Sequence, residues 1–222
     1  MHPRGADASH VLCGCHTGVQ GIGMIKNHIV WVAALAASLT LGACSRRPLH
    51  WDMDYVGPQM APLQFRDMQT ADHQHISASH YLGKVVLMYF GYTHCPDVCP
   101  LTMAHMARAI QLLGPEAKDV RILFVTVDPH RDTGPVLRAY VTAFSPEARG
   151  ITGSPQQIKT LASRYHVAYS YGKPDRAGNY TVTHSAAIYV FDEKGRGQLI
   201  GTEATPPDQI AHDLKQIIQL GA

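Results

Sequence analysis

The sequence predicts an α/β domain in which a central mixed β-sheet is flanked by helices. Three observations carry that expectation. Two continuous apolar runs rich in β-branched and aromatic residues, 84–91 (KVVLMYFG) and 120–127 (VRILFVTV), have the length and composition of buried strands. Each is followed by a segment with helical spacing. A hairpin signal and an amphipathic segment then close the chain. With 222 residues, 45% of them hydrophobic, there is enough apolar side chain for one good core.

Taken in order, residues 62–81 read as a short hairpin and loop, including the His-containing stretch ADHQHISASH. The run 84–91 reads as a central strand, residues 101–113 as a helix stopped by Gly114-Pro115, and 120–127 as a second central strand ending at Asp128-Pro129. Residues 135–144 are expected to be helical. So are 154–165, where Ser154 is the N-cap, Pro155 the first helical residue and Gln157 completes a capping box. The segments 185–192 and 198–201 flank Glu193-Lys194-Gly195, a hairpin signal, and residues 207–220 (PDQIAHDLKQIIQL) form a final amphipathic helix. This element order is that of a thioredoxin-like fold. Its active edge is the carboxyl end of the central strands, where residues 93–100 and Asp128 both fall.

The chain begins with a segment of a different kind. Residues 29–41 (IVWVAALAASLTL) form an apolar run of about thirteen, short of the roughly 20 a spanning helix needs, and suit a signal-peptide core. Lys26 supplies the positive flank, and Leu41-Gly42-Ala43-Cys44 follows at once. That pattern resembles a bacterial lipoprotein cleavage site, which would make Cys44 the lipidated first residue of the mature chain. The expected organisation is a signal segment over 1–43, a lipidated Cys44 and tether over 44–61, and the folded domain over 62–222. Met24 begins a compact signal of its own, so residues 1–23 read as an upstream extension, and Cys13 and Cys15 within them as incidental. An ordinary signal peptide cut at small residues, with an incidental cysteine, is the alternative.

A net charge of +2, with no basic stripe, gives no reason to expect a nucleic-acid partner. Five cysteines fall in three places, and only Cys95 and Cys99 lie in the folded part. Two are too few for a disulfide framework and suit a chemical site. They sit in Gly91-Tyr92-Thr93-His94-Cys95-Pro96-Asp97-Val98-Cys99-Pro100, at a strand-to-helix junction, where helix amides and the dipole favour thiolate. Thiolates select soft ions such as Cu(I), or zinc, and a lone pair does not complete a structural zinc site. The best third ligand is His184, in Tyr180-Thr181-Val182-Thr183-His184-Ser185, at an expected strand entrance with small neighbours that leave the ring room. The bland readings are a structural disulfide for the cysteines and a core position for His184. Asp97 and Asp128 are candidates for tuning the thiols or docking a partner; they could equally cap a helix and a turn. His94 is read as facing water, and Met88, Met103 and Met106 as core. His73, His75 and His80 are read as a solvated loop in preference to a second metal site.

Four stretches occur together in one order: FGYTHCPDVCP, VTVDPHRDT, ITGSPQQI and VTHSAAIYVFDEKGR. On them the sequence resembles the Sco/SenC family of copper-binding thioredoxin-like proteins, over residues 62–220. The resemblance implies Cys95, Cys99 and His184 as copper ligands, for Cu(I) and also Cu(II). It implies delivery of copper to the dinuclear CuA site of cytochrome c oxidase, or reduction of that site's cysteines. The implied partners are the oxidase copper subunit and a copper donor protein. The implied location is the periplasmic side of a bacterial membrane, with the inner membrane favoured by an oxidase client and a monomer as the default. Ser45 is not the aspartate commonly linked to inner-membrane retention, which pulls the other way. The competing function is a thiol–disulfide oxidoreductase using Cys95 and Cys99, or a redox sensor. Against it as a sole role stand the CxxxC spacing and the lack of a proline between Tyr180 and Asp192, where thioredoxin-like reductases carry a cis-proline.

Overall fold

The computed structural model describes residues 49–221. The expected signal segment, the 1–23 extension and Cys44 lie outside the described residues, and so do Cys13 and Cys15. No helix among the described residues is long and apolar enough to cross a membrane.

Strand β4 (Val85–Gly91) is buried along its whole length and forms the centre of the sheet. It pairs in parallel with β5 (Val120–Thr126) and antiparallel with β9 (Ile188–Phe191). A continuous apolar run is what a strand covered on both faces requires. Strand β5 pairs in parallel with β6 (Ala148–Thr152), and β9 turns back into β10 (Gly197–Gly201). The edges are β1 (Asp54–Tyr55) beside β10, and the hairpin of β2 (Met68–Thr70) and β3 (His75–Ile76) beside β6. Helix α1 (Val98–Leu112) connects β4 to β5, and α2 (Gly134–Phe144) connects β5 to β6. After β6 come α3 (Pro155–Arg164) and, at the end of the chain, α4 (Pro207–Gly221).

Alternating side chains sort the two layers. Tyr89 of β4 and Phe124 of β5 face α1 and α2, and Phe124 meets Tyr140 of α2 at 5.1 Å between ring centres. Phe90, Tyr189 and Phe191 face the other way and close around Tyr165 at the end of α3. The α3 cap forms as expected: Gln157 N–H donates to Ser154 Oγ, and Ser154 N–H donates to Gln157 Oε1 at 2.8 Å. The β9–β10 turn is organised by the buried carboxylate of Asp192, which accepts from the Lys194 and Arg196 backbone amides and from Arg196 Nε. Gly195 there adopts φ +72°, a conformation that glycine takes at no steric cost.

Four expectations need correction. Residues 51–60 are not a tether: Met53 and Met60 are buried and Asp54–Tyr55 adds a strand to the sheet. Their polar sequence hid a clasp, in which the Asp52 and Met53 amides donate to the buried carboxylate of Asp213 at 3.1 and 2.8 Å. Strand β6 went unread because Arg149 and Gly150 interrupt its apolar pattern. The segment 185–192 is not one strand: β9 begins only at Ile188, and His184 belongs to a separate two-stranded ribbon, β7 (Tyr169–Tyr171) with β8 (Val182–His184). Finally, α1 starts at Val98 instead of Leu101, which brings Cys99 into its first turn.

The clasp gives a stability prediction. Asp213→Ala leaves the buried Met53 amide without its acceptor, so it is expected to destabilise the domain by about 1–3 kcal/mol. Denaturant unfolding checks this, and an unchanged midpoint contradicts it.

Candidate metal centre

Strand β4 ends at Gly91, and the chain turns through Tyr92–Asp97 into α1, with the Cys95 amide donating to the Tyr92 carbonyl at 3.3 Å. Cys95 is partly exposed on this turn and Cys99 is fully buried in the first turn of the helix. The Cys99 amide points at Cys95 Sγ, 3.4 Å away. Pro100 is the third residue of α1, where no amide partner is needed.

His184 arrives from the other side, at the end of β8. Its Nε2 lies 3.2 Å from Cys99 Sγ, and its Nδ1 lies 3.1 Å from the Ser185 carbonyl oxygen. A carbonyl can only accept, so this bond places the proton on Nδ1 and leaves the Nε2 lone pair facing sulfur. Burial lowers the His184 pKa below its ordinary value, keeping the ring neutral, with the Ser185 bond opposing more weakly. Tyr89 and Tyr92 hold the imidazole edge-to-face, with ring centres 6.1 and 5.9 Å away. The donor atoms of Cys95, Cys99 and His184 all lie within 4.8 Å of one another, although 85 residues separate Cys99 from His184.

Burial pushes the Cys99 thiol up to about 12, partly offset by a backbone amide and by the Tyr89 hydroxyl, which donates to Sγ at 3.7 Å. In the free protein Cys99 therefore carries its proton, and a metal must displace it. Gly91 is required by the same crowding, since a Cβ there would stand 2.9 Å from Cys99 Sγ and from Phe124. These differences predict selective chemistry. Iodoacetamide at pH 8 is expected to label Cys95 at least about tenfold faster than Cys99. Peptide mass spectrometry reads the two sites, and equal labelling contradicts the assignment.

The remaining candidates do not join the three donors. Asp97 occupies the N-cap position of α1 without a side-chain hydrogen bond to the helix, exposed to water. Asp128 is buried but is taken up by Arg131 Nε at 2.5 Å and the Tyr180 hydroxyl at 2.8 Å. His94 is half-exposed, with its Nδ1 3.1 Å from the Thr93 hydroxyl and not directed at the sulfurs. Met88, Met103 and Met106 are fully buried core residues. His75 pairs with Asp67, His80 bonds back to Ser77, and no three-ligand group among the described residues includes His73, His75 or His80. One further group does converge beside the Asp213 clasp: His212 Nδ1 lies 2.7 Å from Asp52 Oδ2 and 3.3 Å from Asp213 Oδ1.

Sequence reasoning missed Asp132. Its carboxylate is buried and accepts from the Thr93 amide, the Thr93 hydroxyl and the Thr126 hydroxyl at 3.0, 2.6 and 2.6 Å. It thereby fixes the first residues of the cysteine turn to the end of β5. The available signal was a second aspartate four residues after Asp128, which by itself points to no partner.

Fold and site together define a thioredoxin-like domain in which two sulfurs and one imidazole converge, a donor set that could hold a soft metal ion. The SCO1/SenC family model matches residues 60–219, and the chain belongs to that family. Over 138 residues it is 38% identical to the mitochondrial protein SCO2 homolog of Bos taurus, covering 61% of this chain and 52% of that one. The match thus spans about half the length of that curated relative. The copper-bound structure of ScoI from Bradyrhizobium japonicum superposes with a TM-score of 0.64 at 32% identity, over 71% of this chain and 98% of that one. BsSco, a member of the Sco family of cytochrome c oxidase assembly proteins in which a disulfide switch is identified, superposes with a TM-score of 0.54 at 26% identity, over 72% and 98%.

Proposed function

We propose that this chain is a copper metallochaperone that binds one Cu(I) through Cys95, Cys99 and His184 and passes it to the copper subunit of cytochrome c oxidase. The observation that carries the reading is the approach of His184 Nε2, with its lone pair free, to within 3.2 Å of Cys99 Sγ. In a reductase the same lone pair would act as a base for the Cys99 thiol; in the chaperone reading it is a third soft donor. Two thiolates and a neutral imidazole form a low-coordinate, soft donor set of the kind Cu(I) accepts, and Cu(II) can share it. Cys95, at the exposed end of the set, is the sulfur an acceptor's thiol reaches first, so transfer proceeds by exchange of ligands from the outside inward. Lipidation at Cys44 would hold the domain on the periplasmic side of a bacterial membrane, the inner membrane being favoured because the oxidase client lies there. A copper donor protein would load it.

A second reading is favoured by the free state of both cysteines and by the disulfide switch of BsSco. In it, one thiolate attacks a disulfide in the oxidase copper subunit, the other cysteine resolves the mixed disulfide, and a Cys95–Cys99 disulfide is left. The two roles are compatible, because copper needs the dithiol reduced.

Competition titration of the reduced domain with a Cu(I) chelator separates them. The chaperone reading expects one Cu(I) per chain and an affinity that falls more than about tenfold in His184→Ala while dithiol chemistry persists. Unchanged copper affinity in that variant moves the assignment to the reductase. The same titration carries a pH prediction. Because the Cys99 thiol is raised to about 12, it is protonated throughout the neutral range and gives up its proton on binding. Apparent affinity should therefore rise about tenfold per pH unit from this thiol alone between pH 6 and 8. A flat profile contradicts it.

A further inference from the structure

We propose that the five-residue loop Asp128–Asp132 is a spacer that sets the separation between the cysteine turn and the histidine ribbon, with Arg131 the positioning residue for His184. The proposal rests on the copper reading given above. One end of the loop belongs to the cysteines: Asp132 holds Thr93, two residues before Cys95, through its amide and hydroxyl. The other end belongs to the histidine. Arg131 donates from Nη1 to the Tyr180 carbonyl at 2.8 Å, and its guanidinium lies 3.7 Å from the centre of the Tyr180 ring. The Tyr180 hydroxyl returns to the loop by donating to Asp128 Oδ1, the carboxylate whose other oxygen takes Arg131 Nε. Tyr180 is therefore gripped by its carbonyl, its ring face and its hydroxyl.

That grip falls on a part of the chain that needs it. Tyr180 stands two residues before β8, which ends at His184, and among the described residues β8 has only β7 as a hydrogen-bonded neighbouring strand. An isolated two-stranded ribbon is marginal on its own. A further tie to the sheet is the Tyr171 hydroxyl, which donates to the Val127 carbonyl one residue before the same loop. Arg131 also reaches the ligand by packing, because its guanidinium is 5.6 Å from the Tyr92 ring, and Tyr92 stands edge-on to the His184 imidazole. A planar fork that bonds a carboxylate and a carbonyl while stacking on an aromatic ring is a task for arginine and not for lysine.

Two measurements on the reduced protein test this. The first is amide hydrogen exchange without metal. Arg131→Ala and the milder Tyr180→Phe should speed exchange at Gly172 and Ser185, whose amides bond Thr181 and Ala168 across the ribbon, while β4 amides keep their rates. The expected increase is more than about tenfold for Arg131→Ala and smaller for Tyr180→Phe. The second is Cu(I) affinity in a double-mutant cycle. Arg131→Ala should weaken binding by about 10–100-fold, Arg131→Lys should restore little of it, and Arg131→Ala added to His184→Ala should change almost nothing. Equal losses in both backgrounds would show that Arg131 does not act through His184, and would overturn the proposal. Unchanged ribbon exchange in Arg131→Ala would overturn it too. If the unmutated protein bound no Cu(I), the copper reading would fail, and exchange with the His184 ring NMR shifts in Arg131→Ala would still decide whether the loop places the histidine.

Discussion

Cys99→Ala is expected to lower Cu(I) affinity by more than the roughly hundredfold loss that accompanies removal of a partner outside the ligand set. The effect should exceed that of His184→Ala, because a buried thiolate contributes both charge and a soft donor. Cys99 is also the sulfur that touches His184, so its removal leaves one partly exposed thiol, Cys95, and the imidazole to hold the ion. Stability should fall only slightly. The native thiol is buried and protonated, with His184 Nε2 at 3.2 Å to accept its S–H and the Tyr89 hydroxyl donating at 3.7 Å, so alanine deletes one sulfur atom and two weak bonds from a packed site. Chelator competition and thermal unfolding on the same sample separate the two quantities. A variant that kept most of its affinity would contradict the ligand assignment.

The largest stability effect is expected from Phe124→Ala. Phe124 lies at the middle of β5 with no exposure, between Tyr89 and Tyr140 on the face that also carries Cys99. Neighbouring strands fix the surrounding backbone on both sides, so collapse around a deleted ring is limited and the loss should be about 3–5 kcal/mol. For a domain of this size that lowers Tm by on the order of 10 °C. The cavity opens beside the thiol as well as in the core. Iodoacetamide should therefore begin to reach Cys99, and a variant that lost stability while Cys99 stayed inert would show that the ring does not shield it.

Much of the site was legible in the sequence because its chemistry is local. The unbroken apolar runs announced β4 and β5, and a dithiol placed after the first of them had to fall at the sheet's carboxyl edge. The capping box at Ser154 was legible for the same reason, since all its partners lie within four residues. What escaped depends on distant partners. Asp132 acquires meaning only when Thr93 and Thr126 are brought to it. Residues 51–60 look like a polar tether until Asp213 receives their amides. The ribbon carrying His184 escaped because β7 and β8 are three residues each, too short to show a period, and half-exposed tyrosines give no clear apolar face. His184 was singled out in the sequence and the structure brings it to Cys99, while the strand that carries it was misplaced by that ambiguity.

The central claim is that two sulfurs and the Nε2 of one imidazole form a single metal centre. X-ray absorption spectroscopy of the reduced protein loaded with one equivalent of Cu(I) tests it most directly, beside the same measurement on His184→Ala. The account predicts two Cu–S contacts and one Cu–N(imidazole) contact in the unmutated protein, with the imidazole scattering lost in the variant. Identical spectra from the two proteins, or a sulfur-only shell in both, would contradict it.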